Sequence, residues 1–141
     1  MKFNLVALSS RVSELANRFL VKELEKRGIK GIVPSHGGIL LQLYNNKSLT
    51  MKSLAEKINR TKPTVTVLIN KLIAEEYVTK EKCPIDSRVS FIKLTDKGKA
   101  LEPLFFEISK DMNNKVYENL TKEEAKQVEL LMEKVLLNLQ E

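Results

Sequence analysis

Residues 61–71 carry polar side chains at the spacing of one face of a helix. The apolar side chains of this segment recur every three or four residues, at Val65, Leu68, Ile69, Leu72 and Ile73. At about 100° per residue, such a stripe leaves Thr66, Val67 and Asn70 near the opposite face. Asparagine can pair in bidentate fashion with adenine, threonine can bond to either base type, and valine can meet a thymine methyl. The segment therefore predicts a helix whose exposed face contacts DNA bases, although a solvated surface helix would show the same pattern.

The start of this helix also suits phosphate groups. Pro63 lies in the first turn, where a missing N–H has no cost, and Lys62 and Lys71 flank the exposed face. Free N–H groups at a helix start and lysine side chains both favour phosphate oxygens. On this helix we expect DNA contacts from Thr61, Lys62, Pro63, Thr64, Thr66, Val67, Asn70 and Lys71.

A second candidate contact lies in the turn at residues 84–88, between two β-rich segments. Residues 78–82 and 89–94 predict a β-hairpin with this turn at its tip. Arg88 on a projecting turn can enter a narrow minor groove, where the negative potential is strong. Asp86 is close enough to hold the guanidinium by paired hydrogen bonds, so we expect it to orient Arg88. An ordinary Asx turn with an exposed arginine is the alternative.

Short helices precede these two features and complete a winged helix-turn-helix. Ser35 is a candidate N-cap for a helix that ends near residues 45–46, and Thr50 is a candidate cap for a short third helix. Asn59 and Arg60 would form the turn into the helix that follows Thr61. The fold class predicted is mainly α with a small β-hairpin wing, in which a winged helix-turn-helix core is flanked by N- and C-terminal dimerisation helices.

The flanking helices have coiled-coil spacing. In the first helix, at about residues 3–27, Leu5, Leu8, Val12, Leu15 and Phe19 recur at intervals of three and four. A fifth helix is expected at about residues 96–120, with a kink or late start at Pro103, and a capping box at residues 121–124 begins a sixth. One short lobe offers little surface to cover two such stripes, so we expect a homodimer, although packing within one monomer is the alternative. The predicted regions are a dimerisation helix and loop at 1–34, a DNA-binding lobe at 35–99 and dimerisation helices at 100–141.

Charge is distributed unevenly along the 141 residues, whose net charge is +6. Residues 47–99 hold 12 lysines and arginines against 6 acidic residues, whereas residues 100–141 hold 5 against 9. A basic centre suits a polyanion such as double-stranded DNA. No apolar run approaches the about 18–20 residues of a membrane span, and we expect no membrane partner. One cysteine excludes an internal disulfide, so we expect a cytoplasmic protein.

In its motifs the chain resembles the MarR family of bacterial and archaeal transcription regulators. The matching segments are residues 34–40 (PSHGGIL), 54–58 (LAEKI), 62–66 (KPTVT), 84–88 (PIDSR) and 94–98 (LTDKG). The resemblance implies a triangular homodimer, two winged lobes on the halves of a palindrome, and effector pockets between the dimer region and each lobe. Many relatives have arginine at the position of Val67, which implies an altered sequence preference here.

The resemblance also implies a repressor that a small molecule releases from DNA. It places effector binding near His36, with Leu15, Phe19 and Tyr44 as further candidates, although His36 also suits a structural role at a helix start. Cys83 lies in the wing rather than in the first helix, where the peroxide-sensing relatives have their cysteine.

Neither an enzyme nor a cofactor is predicted from these residues. A single histidine and a single cysteine cannot build a zinc site without several carboxylates, and no phosphate-binding glycine loop is present in the sequence. Two alternatives to a DNA-binding regulator remain at this point. One is a winged-helix adaptor whose basic face binds an acidic protein, and the other is a redox-sensing regulator that acts through Cys83.

Overall fold

The computed structural model describes residues 1–140, which form seven α-helices, a small antiparallel sheet and one 3₁₀ turn. This confirms the predicted fold class. The helices are α1 (Leu5–Lys26), α2 (Gly37–Asn45), α3 (Met51–Lys57), α4 (Lys62–Ala74), α5 (Asp96–Ala100), α6 (Glu102–Val116) and α7 (Lys122–Leu139). The strands are β1 (Leu49–Thr50), β2 (Val78–Lys82) and β3 (Ser90–Leu94), and the 3₁₀ turn is Pro34–His36.

The hairpin of β2 and β3 forms the predicted wing. Its register pairs Val78 with Leu94 and Lys82 with Ser90, and the strand order is β1-β3-β2. Strand β1 was not predicted, because two residues are too short to show an alternating pattern. β1 exists because Leu49 pairs with Ile92 of β3 across the lobe. This pairing closes the lobe around α3 and fixes the wing against the helices.

The hydrophobic core belongs to the lobe made by α2, α3, α4 and the sheet. Apolar side chains from the predicted stripes are almost fully buried in it, including Ile39, Leu40, Leu54, Val65, Ile69, Leu72, Val78 and Ile92. Burying one such side chain contributes about 1.5–3 kcal/mol to the stability of the folded state. The stripes of the long helices behave differently, because among the described residues neither α1 nor α7 has a buried side chain.

Threonine side chains begin four of the helices. Thr50, Thr61, Thr95 and Thr121 each accept a hydrogen bond from the backbone N–H three residues later, at 3.0–3.4 Å. Glu124 returns a bond to the Thr121 N–H at 3.2 Å and completes the predicted capping box. Each cap satisfies a helix-end donor that has no intrahelical partner, so these residues fix where the helices start.

One expectation about helix ends was wrong, and one was confirmed. Ser35 does not cap α2, because Pro34 starts a 3₁₀ turn one residue earlier and the His36 ring accepts the Val33 N–H instead. The long fifth helix is two helices that meet at Leu101, with Pro103 in the first turn of α6. A proline is tolerated in a first turn, so α6 makes the late start that was expected at Pro103.

Ion pairs join α1 to α6 at the edge of the lobe. The Arg27 guanidinium contacts Glu107 at 3.0 Å and Asp111 at 3.6 Å, and it also pairs with Glu23 in its own helix. The Arg27 side chain is mostly covered, which limits screening by solvent. Within the part of the chain that the structure describes, no helix has the length and apolar character needed to cross a bilayer.

Candidate nucleic-acid interface

Helix α4 presents the face that its sequence pattern predicted. Val65, Ile69 and Leu72 are fully buried in the core, which fixes the rotation of the helix. The opposite face is therefore exposed, and it carries Lys62, Pro63, Thr64, Val67, Asn70 and Lys71. At its start the Thr61 and Thr64 hydroxyls lie 2.9 Å apart, so the helix begins as a rigid, solvent-facing turn.

Thr66 has a more limited role than its type alone suggests. It is half-buried, and its hydroxyl donates to the Lys62 carbonyl oxygen at 2.9 Å. A threonine hydroxyl has a single proton, and the helix backbone uses it here. Thr66 is therefore available to a ligand only as an acceptor.

The wing tip holds the arginine as the spacing predicted. Arg88 Nε lies 3.1 Å from Asp86 Oδ1, and Arg88 Nη2 lies 3.2 Å from Asp86 Oδ2. The Arg88 backbone N–H also donates to Asp86 Oδ1 at 3.0 Å. These bonds to the guanidinium and the amide lower the pKa of Asp86 below its usual value. The carboxylate thus stays ionised and orients a guanidinium that is 89% exposed.

Backbone hydrogen bonds make the tip a defined turn. The Val89 N–H donates to the Asp86 carbonyl oxygen at 3.0 Å, and the Cys83 N–H donates to the Val89 carbonyl oxygen at 2.9 Å. Lower in the hairpin, Lys93 pairs with Glu81 across the two strands at 3.1 Å. Arg88 therefore projects from an ordered, hydrogen-bonded turn.

Two buried hydrogen bonds connect α4 to the segment that follows α1. His36 Nε2 lies 3.1 Å from the Leu68 carbonyl oxygen in α4. The Tyr77 hydroxyl, just after α4, donates to the Lys30 carbonyl oxygen at 2.9 Å. A shift of residues 28–36 would therefore act on the middle of α4 and on Tyr77, just after the end of this helix.

A cavity of about 300 Å³ lies between α1, α2 and α6. Its lining is apolar, and Ser109 supplies the one polar side chain among the described residues around it. The segment from Ile29 to Pro34 closes one side of the cavity. It belongs to residues 28–36, the stretch whose hydrogen bonds reach α4 and the residue just after it. Other lining side chains include Leu20, Leu24, Leu40, Leu101, Phe105 and Ile108.

The four residues predicted to bind an effector lie outside the lining of this cavity. His36 is fully buried, and both of its ring nitrogens have partners in the chain. Tyr44 donates to the Gly98 carbonyl oxygen and packs on Phe105, while Leu15 and Phe19 lie on α1. The lining residues of this cavity were not predicted from the sequence pattern. They come from positions as far apart as 20 and 112, and their apolar spacing predicted helix packing alone.

Cys83 lies at the end of β2 and is half-buried. Over residues 1–140, no group of three or more histidine, cysteine, aspartate or glutamate side chains is placed to hold a metal ion. A redox role of Cys83 stays a hypothesis.

The order of the helices, the three-stranded sheet and the wing arginine define a winged helix-turn-helix protein. Residues 34–90 match the model of the MarR family. The chain is 25% identical to the transcriptional regulator MhqR of Bacillus subtilis over 129 residues, which are 92% of this chain and 87% of MhqR. It is 31% identical to SarZ of Staphylococcus aureus over 90 residues, which are 64% of this chain and 60% of SarZ.

A solved structure of the S. aureus MepR–DNA complex superimposes with a TM-score of 0.88 at 26% identity, covering 98% of this chain and 100% of MepR. Over its winged helix-turn-helix lobe the chain is thus similar to the MarR family, as its motifs predicted. The named relatives are transcriptional regulators and not enzymes, which agrees with the interpretation of the sequence motifs.

Proposed function

We propose that the protein is a homodimeric repressor that binds a palindromic DNA operator and leaves it when a small molecule binds. The observation that carries this proposal is the placement of an exposed polar face on α4 beside a wing whose Arg88 is held by Asp86. The MepR structure with which this chain aligns over almost its whole length was solved with DNA.

In the major groove, α4 would make the base contacts. Asn70 is exposed and can pair with adenine, Val67 can meet a thymine methyl, and Thr66 can accept from a base amino group. Lys62, Lys71 and the helix start around Thr61, Pro63 and Thr64 would bind phosphates. Phosphate contacts set the register of the helix, and base contacts select the sequence.

In the minor groove, Arg88 would bind where A/T-rich stretches narrow the groove. Asp86 cannot contact phosphate favourably, because both groups are negative. Its contribution is to fix the guanidinium before DNA arrives, so that less side-chain entropy is lost on binding.

The long helices would form the dimer interface. Apolar side chains of α1 and α7 are exposed in the monomer, among them Leu5, Leu8, Val12, Val128, Leu136 and Leu139. Exposed apolar stripes of this kind along long helices are typical of a protein contact. We propose residues 1–34 and 100–141 as the dimerisation region and residues 35–99 as the DNA-binding lobe. A twofold axis would place the two α4 helices in successive major grooves, about 34–36 Å apart.

The cavity between α1, α2 and α6 is the proposed effector site, because it lies between the dimerisation region and the lobe. Its lining favours an uncharged apolar molecule, since an ion buried there would lose its hydration without gaining a partner. Occupancy would shift residues 28–36, and through His36 and Tyr77 it would shift α4. The effector can release DNA only if it binds one lobe spacing better than the other.

In vitro selection from a randomised duplex library at near-physiological salt tests the proposal. We expect a palindrome with half-sites about one helical turn apart. Recovery of no preferred sequence, with weak and salt-sensitive binding alone, would favour the adaptor that binds an acidic protein. Release from the operator by peroxide in the wild type, and not in Cys83→Ser, would favour the redox-sensing regulator. As a chromosomal regulator the protein would act in the cytoplasm.

A further inference from the structure

Ile85, at the tip of the wing, is 96% exposed. Between residues 46 and 100 of the described chain, the large apolar side chains with more than about a third of their surface exposed are Val67, at 70%, and Ile85. Val67 lies on α4 and Ile85 on the wing, which are the two elements that the proposed function places on DNA. The other large apolar side chains between residues 46 and 100 are buried or half-buried, so this coincidence is selective.

The exposure of Ile85 does not come from a frayed loop. Pro84 precedes it with a fixed φ, and Asp86 follows it with bonds to the Arg88 amide and guanidinium. The backbone bonds from Val89 to Asp86 and from Cys83 to Val89 close the turn around it. Ile85 is therefore held outward at a fixed position, three residues from Arg88.

We propose that Ile85 is an apolar DNA-contact residue, which packs against the sugar walls of the minor groove beside Arg88. This inference rests on the proposed function. The walls of the minor groove are formed by deoxyribose C–H groups, which an aliphatic side chain can cover with loss of water from both surfaces. Other proteins that bind the minor groove also place isoleucine and similar side chains in it, where they insert between base steps.

The contribution of Ile85 differs in kind from that of Arg88. A guanidinium near phosphates displaces counterions, so its effect weakens as salt rises. Apolar packing displaces water instead, and its contribution to affinity is nearly independent of salt over the usual range. The two contacts can therefore be separated by measuring affinity at several salt concentrations.

The test compares Ile85→Ser with the matched control Ile85→Val on the selected operator, by fluorescence anisotropy at about 50 to 200 mM salt. We expect Ile85→Ser to bind about tenfold more weakly at every salt concentration, with an unchanged salt slope, and Ile85→Val to stay within about threefold of the wild type. Both variants should have the wild-type Tm, because a side chain exposed to this degree adds little to folding.

Equal affinity of Ile85→Ser and the wild type would overturn the inference and leave the proposed function intact. A salt slope that falls together with the affinity would also overturn it, because the effect would then belong to a displaced Arg88. A wild-type protein without a preferred operator would overturn the proposed function, and this inference with it.

Discussion

The His36 ring joins the start of α2 to the middle of α4, with Nε2 lying 3.1 Å from the Leu68 carbonyl oxygen. Its Nδ1 accepts the Val33 N–H at 3.0 Å, so the proton of the neutral ring is on Nε2 and is donated to Leu68. The side chain is fully buried. His36 therefore stabilises the fold as a neutral group that uses both nitrogens.

Acidification should destabilise the protein through His36. Burial lowers the pKa of His36 below its ordinary value of about 6.5, Lys71 lowers it further, and the Leu68 carbonyl opposes them. Below pH 6.5 the unfolded chain takes up a proton that the folded chain does not, so stability falls until the pH reaches the lowered value. Urea denaturation at pH 7.5 and pH 5.5 should show a smaller free energy of unfolding at the lower pH.

His36→Gln is the matched control for this pH effect. A glutamine amide can still donate to Leu68, but it does not titrate. The variant should be less stable than the wild type at pH 7.5, because the Val33 N–H loses its acceptor, at a cost of about 1–3 kcal/mol. The loss of stability between pH 7.5 and pH 5.5 should be smaller than in the wild type. An equal loss in both proteins would show that His36 is not its source.

Arg88→Ala should weaken binding to operator and to unrelated DNA alike. The variant loses one charge that neutralises a phosphate, so the slope of log affinity against log salt should fall by about 1. Asp86→Asn is the control, because it keeps the charge of Arg88 and removes the carboxylate that orients it. Asp86→Asn should keep the wild-type slope of log affinity against log salt and bind DNA somewhat more weakly. Wild-type affinity in Asp86→Asn would contradict the orienting role of Asp86.

Local patterns predicted α4 and the wing well. The caps Thr50, Thr61 and Thr121 and the pair of Asp86 and Arg88 each depend on residues within three positions, and each is found as predicted. Short-range geometry decides such features, so the sequence contains the information. That these residues bind DNA stays a prediction, which the selection experiment and the variants test.

Long-range contacts decide the features that the sequence did not show. β1 depends on the pairing of Leu49 with Ile92. The start of α2 differs from the expectation because the buried His36 ring bonds to Val33 and Leu68. The cavity is formed by side chains that each match an ordinary helix stripe, and only their assembly leaves a space. Residue types along one segment carry no signal for such an assembly.

Asn70→Ala should relax sequence preference at particular bases. If Asn70 pairs with adenine, the variant should lose about 1–3 kcal/mol on the best operator and little on sequences changed at that base pair. Lys71→Ala, on the next residue, is the control that should weaken binding to all sequences alike. Affinities for a panel of single-base operator variants measure both. An unchanged preference in Asn70→Ala would show that this face of α4 does not contact the bases.

Ligands of matched shape test the proposed effector site. 1-Naphthol is neutral at pH 7, whereas 1-naphthoate is an anion, and we expect the neutral compound to bind at least tenfold more tightly in calorimetry. No charged side chain is among the described residues that line the cavity, so the anion would find no partner. Ser109→Lys places a cation there and should shift the preference towards naphthoate. Equal binding of both compounds by the wild type would place their site elsewhere.

Gly98→Ala should destabilise the junction between α4 and the wing. A Cβ at Gly98 would collide with the Tyr77 carbonyl oxygen, which accepts the Thr95 N–H, and would crowd Leu94 at 3.1 Å. Backbone cannot move aside as a side-chain end can, so we expect a loss of about 1–3 kcal/mol in urea denaturation. Gly37→Ala is the control, because Gly37 has helical dihedral angles and open space around its Cβ. It should gain about 0.4–1 kcal/mol, since alanine restricts the unfolded chain. Equal stability of Gly98→Ala and the wild type would contradict the close contact between α5 and the end of α4.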